Sequence, residues 1–287
     1  MRIKITGING YLGTSIAQQL SAQGHEVSGI NRRLLYDAHT TLAAEIMGSD
    51  IIINLAGAPV LQRWTKKNKQ EIYNSRVKTT TNLAAAIAAL QPHQRPKKLI
   101  AASAIGIYKA GLLHDENSTT FDSGFLGHVV QHWEQALKQL PDDIQKTVFR
   151  IGLVLGKNAK IISSQRLPFK LGLGAKIGNG KQAFPFIHET DLVRAFVWAA
   201  TEYSGNNATF NLVAPQSIDN ATFTRSFARQ LHRPSFFSIP DFAIQLALGE
   251  AATLLTQSPA VSSAKIIDAG FQFKFPDIDS ALQEILP

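Results

Sequence analysis

The stretch Thr6-Gly7-Ile8-Asn9-Gly10-Tyr11-Leu12-Gly13 constrains this chain most, because it joins a short apolar strand carrying Ile3 and Ile5 to a helix. A glycine at such a junction lets the backbone turn tightly and approach a pyrophosphate, and the free amides opening the helix from Tyr11 onward offer that anion partial positive charge. Gly13 lets the helix pack close on the strand. Three glycines spaced by pairs of residues recur by chance, so the flanking strand and helix give the triplet its meaning. Residues Gly7, Ile8, Asn9, Gly10, Tyr11, Leu12 and Gly13 are therefore candidates for holding a dinucleotide.

Apolar runs suited to parallel strands recur at 2–6, 26–30, 50–55, 97–103 and 146–151, separated by segments that read as helices at 11–22, 41–48, 65–90 and 125–140. This alternation predicts an α/β fold of Rossmann type, a doubly wound parallel sheet that binds ligands at its strands' carboxyl ends. Beyond Gly156 the pattern changes. The glycine-rich stretch 171–180 reads as a mobile hinge or lid, and it lacks the order of glycine, lysine and hydroxyl residue that marks a triphosphate loop. Phe186-Ile187-His188, a helix at 189–202 and a strand at 209–213 follow, then helices at 220–231 and 241–255. The implied organisation is a dinucleotide-binding domain over 1–160, to which 183–215 return, and a smaller carboxyl-terminal α/β lobe on the substrate side formed by 161–182 and 216–287.

At 287 residues with 45% hydrophobic side chains, the chain can bury a substantial core. It has no cysteine, which excludes disulfides, thiolate metal sites and cysteine nucleophiles. No apolar stretch reaches the roughly 18 residues of a membrane span, and the amino terminus lacks the apolar core of a signal peptide. The expectation is a cytoplasmic protein without a membrane partner. The net charge of +8 raises the question of nucleic acid, but the basic residues are scattered and lack interleaved aromatics. No nucleic-acid partner is expected, and a small anionic ligand accounts for part of the excess.

Such folds usually place a carboxylate about 20 positions beyond the glycines to hold the adenosine ribose, whereas a phosphorylated ribose needs cations there. Here the second strand ends Asn31-Arg32-Arg33. Two guanidiniums able to donate paired hydrogen bonds to a 2′-phosphate favour NADP(H) over NAD(H). The third strand ends Asn54-Leu55-Ala56-Gly57, whose small residues let the adenine end approach the backbone. The fourth ends Ala101-Ala102-Ser103-Ala104 and puts the Ser103 hydroxyl where a nicotinamide would lie. Ser103 either orients a substrate carbonyl or satisfies nearby backbone.

Together these residues resemble the extended short-chain dehydrogenase/reductase superfamily, which includes NAD(P)-binding nucleotide-sugar epimerases and dehydratases. More narrowly, Arg63-Trp64-Thr65, Ser75-Arg76-Val77, Trp133-Glu134, 150–156, 168–174 and Ala269-Gly-Phe271 resemble an atypical branch, the 39U-type epimerase family proteins, over nearly the whole chain. That resemblance implies Asn31, Arg32, Leu55, Ala56, Glu71, Arg76 and Val154 around NADP(H). For Glu71 and Arg76 the alternative is a salt-bridged helix surface.

The superfamily's chemistry uses a tyrosine as acid or base and a lysine one helical turn later. No tyrosine here has a lysine four places on. The corresponding helix puts Phe125 or Leu126 at the phenol position and Val129 or Val130 at the lysine. A hydride can still move if another acid substitutes, since proton transfer typically contributes about 10² to 10⁴ in rate. Candidate substitutes are Tyr108, His128, His132 and His188, each with a packing role as its alternative. His128 and His132 share a helix face but have no evident third ligand, so no metal is assigned. Trp133 reads as core or as substrate wall. The arginine that nucleotide-sugar enzymes commonly carry before the Phe-Ile-His segment is replaced by Ala183-Phe184-Pro185, which argues for a smaller or more apolar substrate.

The sequence thus predicts an NADP(H)-binding oxidoreductase-like protein, monomeric or homodimeric, acting on a small carbonyl or hydroxyl substrate with Ser103 and Tyr108 as catalytic candidates. A nucleotide-sugar epimerase with a substitute acid and a noncatalytic NADP(H) sensor or scaffold are the alternatives.

Overall fold

Ile51, Ile52 and Ile53 are all buried, which places their strand inside the molecule with both faces covered. In the computed structural model, which describes residues 1–286, that strand is β3 (Ile51–Asn54), reached through β1 (Arg2–Thr6), α1 (Tyr11–Ala22), β2 (Glu26–Ile30) and α2 (His39–Ile46). The helical stretch that follows is α3 (Lys66–Tyr73), a π-helical turn at Asn74–Lys78 and α4 (Thr79–Ala89), leading to β4 (Lys98–Ala104). Past the short β5 (Leu113–His114), α5 (Phe125–Leu137) crosses over to β6 (Gln145–Ile151).

The chain then runs through β7 (Leu153–Leu155), α6 (Lys160–Lys170), β8 (Ala175–Ile177), β9 (Phe186–His188) and α7 (Glu189–Thr201) to β10 (Ala208–Leu212). The main sheet has six parallel strands in the order β10-β6-β4-β3-β1-β2. The order reverses at β1, which has β2 on one side and β3 on the other. Loops leaving the carboxyl ends of β1 and β3 therefore part in opposite directions and open a crevice.

Side-chain alternation divides the core between the two faces. Ile3, Ile5, Ile51 and Ile53 pack with Ile16 and Leu20 of α1 and with Phe196 of α7. Ile52, Leu99 and Ala101 face the other way, against Leu42 and Ile46 of α2, Leu83 and Ile87 of α4 and Leu137 of α5.

A second core belongs to the lobe. Phe169 of α6, Phe223 and Phe227 of α8 (Asn220–Gln230) and Phe184 and Phe186 meet near the carboxyl terminus. The lobe continues through β11 (Phe237–Ile239), α9 (Asp241–Leu248), α10 (Thr253–Thr256), β12 (Ala260–Val261), α11 (Ala264–Asp268) and α12 (Ile278–Ile285). Small parallel pairs complete the structure: β8 with β11 inside the lobe, β5 with β12 joining the lobe to the segment after β4, and β7 with β9 beside the main sheet.

Two expectations need correction. The glycine-rich stretch is not all loop, because Ala175–Ile177 forms β8 and pairs with β11. The helix expected over 241–255 breaks at Gly249, whose φ of 61° lies in a region that L side chains rarely adopt; a 3-10 turn bridges α9 to α10. No helix among the described residues is long and apolar enough to cross a membrane.

Candidate functional site

At the crevice, Thr6 fastens the ends of β1 and β3 to one another. Its buried hydroxyl donates to Asn54 Oδ1 at 2.7 Å and accepts the Leu55 and Ala56 amides at 2.9 and 3.0 Å. Asn54 and the Trp133 indole then both donate to Thr80 Oγ1 of α4. From sequence, Thr6 and Asn54 stand only as strand ends and Thr80 carries no signal, because nothing local shows that residues so far apart in the chain meet.

On this base sits the glycine turn. Gly7 has φ of 72°, and its carbonyl accepts the Gly10 amide at 2.9 Å. A Cβ on Gly13 would lie 2.2 Å from the Gly7 carbonyl oxygen, so only glycine lets α1 start this close to the loop. Gly29, not singled out from sequence, does the same on β2: a Cβ there would meet Ile8 Cγ2 at 2.4 Å.

The loop borders a cleft of about 740 Å³. Gly7, Ile8, Asn9, Gly10, Asn31, Arg32, Ala56, Gly57 and Glu71 line it, joined by Tyr36, Ser75 and Thr79. Of the other candidates, Tyr11 is exposed at the start of α1 and Gly13 is buried beneath the turn. Leu12, Leu55 and Val154 are partly buried and pack on the adjoining core. Arg33 is exposed and not part of the lining; its amide donates to Asn31 Oδ1, a local turn that separates the two arginines. Arg32 Nη2 stands 3.5 Å from Glu71 Oε1, with both side chains largely exposed.

Arg76 behaves differently from the surface ion pair that its helix position allowed. The π-helical turn carries Ser75 and Arg76 toward the cleft, where Ser75 Oγ accepts the Ala58 amide and Arg76 Nη1 donates to the Ala58 carbonyl at 3.0 Å. The guanidinium lies 5.4 Å from the Trp133 ring centroid and flush against Gly57, where a Cβ would come within 3.0 Å of Nη2. Burial pushes its pKa down to about 10, so it remains cationic at neutral pH. Among the described residues no carboxylate pairs with it. A half-buried cation without a counter-ion, packed on the Gly57 that lines the cleft, is suited to an anionic ligand.

Ser103 and Tyr108 lie together in a buried polar cluster. The Ser103 hydroxyl donates to Glu134 Oε1 at 2.6 Å, and Glu134 takes a bidentate pair from Arg150 at 2.8 and 2.7 Å. Arg150 Nη1 also donates to the Tyr108 hydroxyl, which donates onward to Asn211 Oδ1 at 2.8 Å. Burial raises the Tyr108 pKa against the opposing pull of Arg150. For Arg150, burial works to lower the pKa, but the Glu134 carboxylate outweighs it and holds the group above its ordinary value. Trp133, under Arg76 and bonded to Thr80, is buried core.

A smaller recess of about 160 Å³ opens between Trp64, Asp122 to Leu126 and the 250–259 segment of the lobe, with Tyr108 in its wall. Phe125 begins α5 and meets Trp64 edge-on at 5.1 Å; Val129 and Val130 are buried. Asp122 Oδ2 accepts the Gly124 and Gly127 amides, and Glu250 is paired with Lys69. Neither register of the expected tyrosine and lysine pair carries an ionisable group. His132 Nδ1 sits 3.2 Å from the Tyr73 hydroxyl, and His188 is fully buried at the start of α7, so neither lines the recess.

Residues 3–212 match the model of the NAD dependent epimerase/dehydratase family. The chain belongs to that family. Residues 239–285 match a domain of unknown function, DUF1731. The chain is similar to the epimerase family protein SDR39U1 of Bos taurus, 35% identical with the whole of both chains covered. Its fold superposes on a crystal structure of human epimerase family protein SDR39U1 (isoform 2) with NADPH, at a TM-score of 0.90 and 34% identity over 99% of each chain. A nucleoside-diphosphate sugar epimerase from Corynebacterium glutamicum is also similar, with a TM-score of 0.78 and 25% identity over 99% of this chain and 58% of that one.

Proposed function

We propose that this family member binds NADP(H) along the cleft and acts as an oxidoreductase on a small, uncharged carbonyl or hydroxyl compound held in the Trp64–Phe125 recess. The observation that carries the cofactor half is Arg76, half-buried against Gly57 of the cleft wall with no counter-ion. The human relative crystallised with NADPH supports the same reading. The donor set fits the group: the unpaired amides of Tyr11 and Leu12 at the start of α1 suit the pyrophosphate, Arg32 the 2′-phosphate, and Arg76 a further anionic or carbonyl oxygen. Glu71 holds Arg32 ready at the mouth of the cleft and yields it to the stronger anion.

When bound, NADPH supplies a hydride to an electrophilic carbon. The chain's own part is to hold the substrate and exclude bulk water, through Trp64, Phe125, Leu126 and Leu254. The ionisable groups in this wall are already engaged, Asp122 with amides, Glu250 with Lys69 and Tyr108 between Arg150 and Asn211, so the proton for the product oxygen comes from a water molecule entering the recess. Losing the positioned acid lowers turnover by about 10² to 10⁴ relative to a complete relay. Apolar walls and the absence of a lining arginine favour a neutral substrate over a nucleotide sugar.

Phe125 in the phenol position also favours a second reading, a noncatalytic NADP(H) sensor. Calorimetry with NADPH and NADH, followed by a screen of carbonyl compounds monitored through the absorbance of the reduced nicotinamide, separates the two. Binding with turnover of any carbonyl supports the oxidoreductase. Binding with none across the screen leaves the sensor, and no heat with either nucleotide overturns both.

A further inference from the structure

Helix α9 reads Asp-Phe-Ala-Ile-Gln-Leu-Ala-Leu, yet none of its residues is buried. An apolar helix of a globular protein ordinarily covers one stripe against a core. Here Phe242 and Leu246, one turn apart and therefore on one face, are 71% and 79% exposed. The exposed apolar surface continues into neighbouring elements. Phe236 is 87% exposed and Phe237 and Ile239 follow it on β11, whose partner β8 is preceded by exposed Leu171 and Leu173. Contacts bring β8, β11 and the start of α9 together: Phe237 pairs with Ala175, the Ile239 carbonyl accepts the Gly178 amide, Pro234 lies by Gly172, and Asp241 at the start of α9 lies by Gly178.

Charge decides what such a face can meet. The segments 160–181 and 230–240 contain Lys160, Arg166, Lys170, Lys176, Lys181 and Arg233 and no aspartate or glutamate. Lys170 and Arg233 are exposed and in no ion pair among the described residues. Asp241, beside Gly178, is the nearest opposing charge. A second copy docked through this face about a two-fold axis would set the cations against themselves. Aromatic and leucine side chains projecting among unpaired lysine and arginine are instead the pattern by which a protein lies on a bilayer of negative surface potential.

We propose that α9 and the β8–β11 ribbon dock this protein peripherally on an anionic lipid surface, with Phe236, Phe242 and Leu246 entering the headgroup boundary and Lys170 and Arg233 facing the lipid phosphates. The expectation of no membrane partner rests on the lack of a spanning segment, and a protein that lies on a bilayer needs none.

The test is flotation of the full chain with vesicles of phosphatidylcholine alone or of phosphatidylcholine and phosphatidylserine in equal amounts. The protein should float with the second kind only and be released by salt. Lys170→Gln with Arg233→Gln should weaken partitioning by about fivefold per charge, and Phe236→Ser with Phe242→Ser should weaken it by at least about tenfold. NADPH titration serves as the control for folding, because none of these residues lines the cofactor cleft, and it should be unchanged in both double variants. No flotation, or flotation indifferent to the phenylalanines, overturns the proposal. So does a dimer in sedimentation that Phe236→Ser with Phe242→Ser dissociates, which would assign the face to a second copy.

Discussion

The Ser103 hydroxyl donates a hydrogen bond to Glu134, 2.6 Å away, and Glu134 in turn accepts from both Nε and Nη2 of Arg150. A serine at the end of the fourth strand is therefore engaged as a donor within the core. Removing Ser103 as Ser103→Ala deletes one bond to a charged acceptor, costing about 1–3 kcal/mol. Glu134→Ala strands a buried guanidinium and costs about 3–5 kcal/mol. Urea unfolding should rank the variants in that order, and NADPH affinity of the folded Ser103→Ala protein should match that of the unaltered chain.

Neighbouring arginines at 32 and 33 have separate fates, because the Asn31 side chain accepts the Arg33 amide and turns the chain after Arg32. Only Arg32 lines the cleft. Arg32→Ala should weaken NADPH binding by roughly ten- to a hundredfold, the range for losing charge-assisted hydrogen bonds, while NADH affinity barely changes. Arg33→Ala should leave both affinities within about threefold. Calorimetric titration of each nucleotide checks the pair, and equal losses in the two variants would refute the assignment.

Much of the sheet could be read directly, because Ile51 to Ile53 and Leu99 to Ala102 are continuous apolar runs bounded by polar residues and turns. The glycine turn was equally legible, since strand, glycines and helix follow one another without interruption. What stayed hidden depends on contacts between distant segments. Glu134, Arg150, Tyr108 and Asn211 come from a helix, two strands and a loop, so no local spacing records their cluster. The side on which Arg76 lies was hidden for another reason: an extra residue in the π-helical turn rotates it away from the register of an ideal helix. Residues 241–255 carry a continuous apolar pattern, and the break at Gly249 was outweighed by that periodicity.

Arg76 separates a ligand-binding role from a structural one. A half-buried cation without a counter-ion is partly desolvated at a cost, so replacing it with an apolar side chain of similar length relieves that cost while giving up the bond to the Ala58 carbonyl. Arg76→Met should accordingly change stability by no more than about 1 kcal/mol in urea unfolding. Its NADPH affinity should fall by at least about tenfold. A large loss of stability with affinity intact would mean that Arg76 serves the helix junction and not the cleft.

His188 sets a pH limit on the joint between the main sheet and the lobe. Its ring is fully buried against Phe275, Nδ1 accepts the Thr190 amide as the cap of α7, and Nε2 lies 3.1 Å from Glu284 of α12. Burial lowers its pKa more than the Glu284 carboxylate raises it, and a proton on Nδ1 would also destroy the cap. The unfolded chain therefore takes up this proton first as pH falls. The associated stability is fully present above the ordinary histidine value of about 6.5 and drains away as pH drops through the lower folded value. Urea midpoints measured down through this range should fall more steeply for the unaltered chain than for His188→Asn, which retains a capping oxygen that does not titrate. Parallel curves for the two proteins would place the acid sensitivity elsewhere.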